Sequence, residues 1–203
     1  MESAAILAGG RAARFDGRDK SRLVVGGRTI LERQLAELSR VTSDILIVGR
    51  HDQVWPGLAV ADGVAPRLVA DIVPGCGPLG GLHAALTAAR GDALFVAACD
   101  MPYLDASFIT YLFGLSAGAD AVVPRTNGGY HPLCAVYTRV CLGAIARRLR
   151  NGRLKMIDLL QDVRTRIVAP DELTRFDPDG KLLANVNTPA EYADIEPVQD
   201  HKL

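Results

Sequence analysis

The 203-residue chain is 49% hydrophobic and 23% charged, ordinary proportions for a globular domain long enough to bury a core. Its 23 Lys and Arg residues balance 23 Asp and Glu residues, so no overall field draws it to nucleic acid or anionic lipid. Any polyanion it binds must be gripped by a local cluster. Met1-Glu2-Ser3 and a short apolar run before Gly9-Gly10 lack the pattern of a signal peptide, and no stretch is suited to a membrane span, so a cytoplasmic setting is expected.

In chain order, Ala4 to Ala8 is a compact apolar strand. Leu31, Leu35 and Leu38 carry helical spacing within Ile30–Val41, and Asp44–Val48 is a second strand. Arg67–Ala70 is a weaker third strand, and Pro78–Arg90 a helix with proline near its first turn. Ala93–Ala98 is a continuous apolar strand ending at Cys99-Asp100. Asp105–Leu115 reads as helix, Ala119–Val123 and Leu133–Tyr137 as strands, and Arg139–Arg150 as a basic helix. Continuous apolar strands alternating with helices predict a three-layer α/β/α sandwich on a mostly parallel sheet with right-handed crossovers. No repeat or linker divides the chain, so residues 1–195 are expected to form a single domain, with a polar tail at 196–203 that frays. Cys76, Cys99, Cys134 and Cys141 are scattered without metal-finger spacing and read as small buried apolar side chains.

Ligands of open α/β sheets sit beyond the carboxyl ends of the strands, so polar strand ends are the places to look. After the first strand comes LAGGRAARFDGRDK, Leu7–Lys20. Gly9 and Gly10 let backbone N–H groups approach a ligand, and Arg11, Arg14, Arg18 and Lys20 add cations, a combination suited to a triphosphate. The Walker and GxGxxG patterns are both absent. Asp100 leaves a buried strand and precedes Met101-Pro102; it suits a Mg²⁺ site and equally a turn or helix cap. Asp71 precedes the Gly/Pro-rich stretch through Gly81, which suits a base or ribose lying against backbone and also a plain connecting turn. Asn185 and Asn187 alternate on an extended segment ahead of Thr188-Pro189, which suits a helix start. His131-Pro132 has no metal-binding partner and reads as a hydrogen-bonding position.

Together LAGG-x-x-x-R-x-x-G-x-DK, the GPLGG after Asp71, CDMP (Cys99–Pro102), HPL (His131–Leu133) and NVNTP (Asn185–Pro189) resemble the molybdenum cofactor guanylyltransferases, in the right order from residue 4 to about residue 195. The resemblance implies a Rossmann-like nucleotidyltransferase fold of GT-A type, and transfer of GMP from GTP to the terminal phosphate of (molybdo)molybdopterin with release of pyrophosphate. It places Leu7, Ala8, Gly9, Gly10, Gly49, Lys20, Asp71 and Asp100 at the nucleotide, and Arg14, Lys20 and Asp100 in catalysis. Asp100 with Asn185 or Asn187 would hold Mg²⁺, with Mn²⁺ as a substitute, and His131 and Asn185 would face the acceptor. It implies no nucleic-acid or membrane partner, and transient contacts with other cofactor-assembly proteins and recipient molybdoenzymes. Two positions depart from the family: Asp16 stands where glycine is frequent, and Gly49-Arg50-His51-Asp52 lacks the asparagine many members carry. The alternatives are a sister enzyme using CTP with molybdopterin or a sugar or polyol phosphate acceptor, and a non-catalytic nucleotide-binding accessory protein.

Overall fold

The computed structural model describes residues 1–9, 14–15, 18–19, 23–49, 63–71, 75–186 and 192, with backbone alone at 14–15 and 18–19. The opening strand is β1 (Glu2–Leu7), followed by the two-residue strands β2 (Arg14–Phe15), β3 (Arg18–Asp19), β4 (Val24–Val25) and β5 (Arg28–Thr29). Then come α1 (Ile30–Ser39), β6 (Ile45–Gly49), β7 (Arg67–Ala70), α2 (Gly77–Ala88) and β8 (Ala93–Ala98). The second half runs α3 (Ala106–Gly114), β9 (Ala121–Thr126), β10 (Gly129–Tyr130), β11 (Cys134–Thr138) and α4 (Cys141–Arg150). It ends with α5 (Met156–Leu159), β12 (Thr165–Val168) and α6 (Pro170–Leu173). Each long strand and helix expected from the sequence is present, with Arg67–Ala70 and Ala93–Ala98 matching at both ends and the others differing by at most three residues at an end. The short strands β2–β5 and β10, together with β12, α5 and α6, carry too few residues for periodicity to reveal.

Local chemistry sets the helix starts. Thr29 and Glu32 form a reciprocal capping box at α1, with the Glu32 N–H donating to Thr29 Oγ1 (3.1 Å) and the Thr29 N–H to Glu32 Oε2 (2.8 Å). Asp105 caps α3 by accepting from the Phe108 N–H at 2.8 Å.

The central sheet has the order β10-β9-β11-β8-β1-β6-β7, with β12 pairing β9. β7, β6, β1 and β8 are mutually parallel, and β12 is parallel to β9. β11 is antiparallel to both β8 and β9, inserted between them. Alternate strand residues bury on opposite faces. Ala4, Ile6, Ile47, Phe95 and Val136 pack with α1 and α3, whereas Ala5, Leu46, Val96 and Tyr137 pack with α2, α4 and α5. This is the three-layer sandwich, built on a mostly parallel sheet. The uniform crossover hand is not observed. From β7 to β8 the chain advances along the sheet with α2 on one face; from β8 to β9 it advances the same way with α3 on the other face, so these two crossovers have opposite hands. The face α3 would otherwise take over β11 is filled by α2 and α4, which pack against each other.

Cys99, Cys134 and Cys141 are buried, and burial pushes the thiols of Cys134 and Cys141 up to about 12, so they behave as apolar side chains. Cys76 is the correction: it is only partly buried, because it stands outside the core in the turn ahead of α2. No helix among the described residues is long and apolar enough to cross a membrane.

At the amino ends of the strands a buried carboxylate ties four segments together. Asp44, 2% exposed, accepts from Ser3 Oγ (2.6 Å), Arg67 Nε (3.0 Å) and Nη2 (2.6 Å), and the Arg90 N–H (2.8 Å). Ser3 Oγ in turn accepts from the Gly91 N–H at 2.8 Å, where a Cβ would collide with the Met1 carbonyl. Burial raises the Asp44 pKa, but the Ser3, Arg90 and Arg67 hydrogen bonds outweigh it and leave the pKa below its ordinary value. Its stabilisation is therefore complete above an unfolded pKa of ~3.9 and is lost as pH falls through the lower folded value. Asp44→Ala, which orphans these donors, should lower the unfolding free energy by about 2–4 kcal/mol at neutral pH, read from the urea midpoint.

Candidate active site

From β1 the chain adds β6 and then β7 on one side, and returns to place β8 against the other side of β1. Strand order therefore reverses between β1 and β8, and a crevice at the carboxyl ends of such a pair is the ligand site of open α/β sheets. Leu7 is in register with Ala98 on β8 and with Val48 on β6. Past the strand ends the Cys99 N–H donates to the Leu7 carbonyl (3.2 Å) and the Ala8 N–H to the Val48 carbonyl (2.8 Å). Leu7, Ala8 and Gly9 thus leave the sheet beside Cys99-Asp100. On the other flank the Asp71 N–H donates to the Gly49 carbonyl (3.0 Å), bringing Gly49 and Asp71 to the same edge.

α2 begins at this edge because it follows β7. Positive φ at Gly75 (85°) and Gly77 (60°) turns the chain into the helix, whose first turn has no side-chain cap. Gly81 lies against the Leu7 side chain: a Cβ there would stand 3.4 Å from both Leu7 Cδ atoms. The GPLGG stretch therefore packs against the exit of β1.

The Asp100 turn is held from outside itself. Gln34 of α1, fully buried, donates through Nε2 to the carbonyls of Ala98 (2.7 Å) and Met101 (3.0 Å). Arg33 donates through Nε to the Pro102 carbonyl (3.0 Å) and through Nη1 to the Val25 carbonyl (3.1 Å). The Asp100 carbonyl accepts from the Val186 N–H at 2.9 Å. Val186 is itself buried with Leu23, Val25 and Ile30, and Tyr192 donates its hydroxyl to the Val24 carbonyl (2.7 Å). Asn185, exposed, is thereby brought next to Asp100 in the chain path. Arg33 and Gln34 escaped the sequence reading. The one available signal was a glutamine at helical spacing from Leu31 and Leu38, on the stripe α1 buries.

His131 lies on the other side of β8. Between Tyr130 and Val136 the chain advances six residues while its partner on β9 retreats three, from Arg125 to Val122. The surplus is a bulge at His131–Leu133, where a proline without an N–H is tolerated. The bulge is fixed at both ends. The His131 N–H donates to the Pro124 carbonyl (2.9 Å), the Ala98 N–H to the Leu133 carbonyl (2.9 Å), and the buried Tyr137 hydroxyl to the Pro132 carbonyl (2.8 Å). His131 Nε2 is 2.9 Å from Thr126 Oγ1. The bulge thus adjoins the last residue of β8, two positions before Asp100.

Of the other expected positions, Gly10, Lys20 and Asn187 lie outside the described residues, as do Thr188, Pro189, the 50–52 segment, Asp16 and the 196–203 tail. Arg14 is described only as backbone in β2, paired with Asp19 of β3. Among the described residues no group of three or more His, Cys, Asp and Glu side chains gathers as a metal cage.

A switch-point crevice flanked by a glycine exit and an aspartate exit defines the class of α/β nucleotide-binding proteins. The profile of the MobA-like NTP transferase domain matches residues 4–165, and the chain belongs to that family. It is 34% identical over 192 residues to a molybdenum cofactor guanylyltransferase of Desulfosudis oleivorans, covering 94% of this chain and 92% of the relative. A probable molybdenum cofactor guanylyltransferase of Pelotomaculum thermopropionicum is 36% identical over 186 residues, with 92% and 87% covered. Among solved structures, molybdopterin-guanine dinucleotide biosynthesis protein A from Archaeoglobus fulgidus superposes with a TM-score of 0.79 at 26% identity, covering 98% of each chain.

Burial holds the His131 pKa below its ordinary value of 6.5, so the neutral imidazole faces Thr126 at neutral pH. As pH falls through 6.5 the unfolded chain takes up this proton before the folded one, and stability declines; above that range the contribution is constant. The His131 ring resonances should accordingly titrate below 6.5 by NMR, and a midpoint at or above that value would contradict the placement.

Proposed function

We propose that this chain transfers GMP from GTP to the terminal phosphate of (molybdo)molybdopterin, forming the guanine dinucleotide form of the molybdenum cofactor and pyrophosphate. The observation that carries this reading is the Leu7–Gly9 exit hydrogen-bonded beside the Cys99-Asp100 exit, in a chain whose near-full-length relatives are named guanylyltransferases.

The acceptor's phosphate oxygen forms a bond to the α-phosphorus as the bond to the β-phosphate oxygen breaks, and pyrophosphate leaves with that electron pair. The attacking oxygen is already ionised, so no general base is needed; positioning and charge neutralisation carry the rate. The backbone at Leu7, Ala8, Gly9 and Gly10, with Gly49, Lys20 and Asp71, holds the nucleotide. Arg14 and Lys20 offset charge on the departing pyrophosphate. His131 and Asn185 face the acceptor, across β8 and behind Asp100.

Asp100 and Asn185, with Asn187, supply a sparse all-oxygen donor set. Such a set fits Mg²⁺, or Mn²⁺ in its place, because a hard cation of this size accepts one or two carboxylates and completes its shell with phosphate oxygens and water. When bound, the ion neutralises charge on the triphosphate. Residues 1–195 act as one catalytic unit in the cytoplasm, with the tail at 196–203 outside it, and hand the product to recipient molybdoenzymes.

Asp100→Ala should reduce kcat for pyrophosphate release by ~100–1,000-fold while circular dichroism remains that of the parent; near-parental turnover would remove Asp100 from the site. In a thermal-shift panel with Mg²⁺, GTP should raise Tm more than CTP, ATP or UTP, because a ligand stabilises in proportion to its occupancy of the folded state. A selective shift with CTP would move the chain to the cytidylyl branch. No pyrophosphate from any nucleotide, with acceptor present, would make it an accessory protein.

A further inference from the structure

We infer that Gln34 is a positioning residue for the Asp100 carboxylate, a role that rests on the reading of Asp100 as a metal-holding residue. Gln34 is fully buried, on the same α1 stripe as Leu31, Leu35 and Leu38. A buried primary amide on an apolar stripe is unfavourable unless its hydrogens are used, and a leucine would fill that stripe without this cost. Both hydrogens are used at one place. Nε2 bridges the Ala98 and Met101 carbonyls, which enclose Cys99-Asp100 between them.

The bridge meets a need created by the fold. A chain leaving a buried strand in a tight turn carries carbonyls that the sheet ladder no longer serves, and orphaned buried carbonyls are costly. Around Asp100 the donors come from distant segments. Gln34 serves Ala98 and Met101, Arg33 serves Pro102, and the Val186 N–H serves Asp100 itself. Among the described residues Gln34 is a side chain whose hydrogen bonds reach both sides of Asp100. It fixes the distance between the strand end and the return of the turn, and so the direction in which the carboxylate leaves. Arg33 joins this turn to the Val25 carbonyl of the β4–β5 hairpin. Adjacent residues of α1 therefore hold both the Asp100 turn and the β4–β5 hairpin.

The test compares Gln34→Met, similar in volume but without donors, with Gln34→Asn and Asp100→Asn. Mn²⁺ binding in the presence of GTP, without acceptor, is measured from the electron paramagnetic resonance signal of the free ion. Pyrophosphate release with acceptor is measured below the Tm of every variant. Gln34→Met should weaken Mn²⁺ binding ~10-fold and lower kcat ~10–100-fold, because loss of an outer partner misdirects a ligand it does not replace. The KM for GTP should stay within about threefold, since the remaining nucleotide contacts are untouched. If Gln34→Met does not fold, Gln34→Asn is read in its place: its amide is one methylene too short to span both carbonyls, and the same weakening of Mn²⁺ binding is expected. Parental Mn²⁺ binding and kcat in a folded Gln34 variant, with both lost in Asp100→Asn, would overturn the role of Gln34 alone. Parental behaviour of Asp100→Asn would overturn the metal reading of Asp100 and this inference with it.

Discussion

Everything at the site depends on two parallel strands lying side by side although much of the first half of the chain separates them. β1 and β8 are in register from Glu2 with Ala93 to Leu7 with Ala98. The strand order reverses at this pair, and such a reversal is where open α/β sheets place their ligand crevice. A glycine exit and a carboxylate exit are brought within one hydrogen bond of each other there, from Cys99 to Leu7. The proposed nucleotide and cation site needs both exits, and their adjacency brings them together.

The two edges of the sheet divide stability from chemistry. At the amino edge, Asp44 is saturated by Ser3, Arg67 and Arg90, and Gly91 is pressed against the first residues of β1. At the carboxyl edge the polar groups hold backbone. Gln34 and Arg33 satisfy carbonyls around Asp100, and Tyr137 and Thr126 satisfy the bulge that carries His131. Donors brought to a buried carboxylate lock one edge, and donors brought to backbone carbonyls shape the other.

β11 makes the His131 bulge possible. A purely parallel sheet would bring another crossover helix at this position. The antiparallel insertion instead returns the chain through a short hairpin, and its three-residue surplus places His131-Pro132-Leu133 beside the end of β8. This insertion also accounts for the unusual hand of the α3 crossover, which must pass over it on the face α2 and α4 leave open.

The sequence alone determined the long strands and helices, because continuous apolar runs and the spacing of Leu31, Leu35 and Leu38 report burial directly. It also marked the LAGG, CDMP, HPL and NVNTP segments as candidates for chemistry, since glycine, aspartate and asparagine at strand ends are legible as residue types. Tertiary structure alone decided strand order, the reversed direction of β11, the bulge at His131 and the work of Arg33 and Gln34. Periodicity records that an element is buried and carries no record of what lies against it. The partners of Gln34 are 64 and 67 residues away in the chain, and only folding brings that amide to the carbonyls beside Asp100.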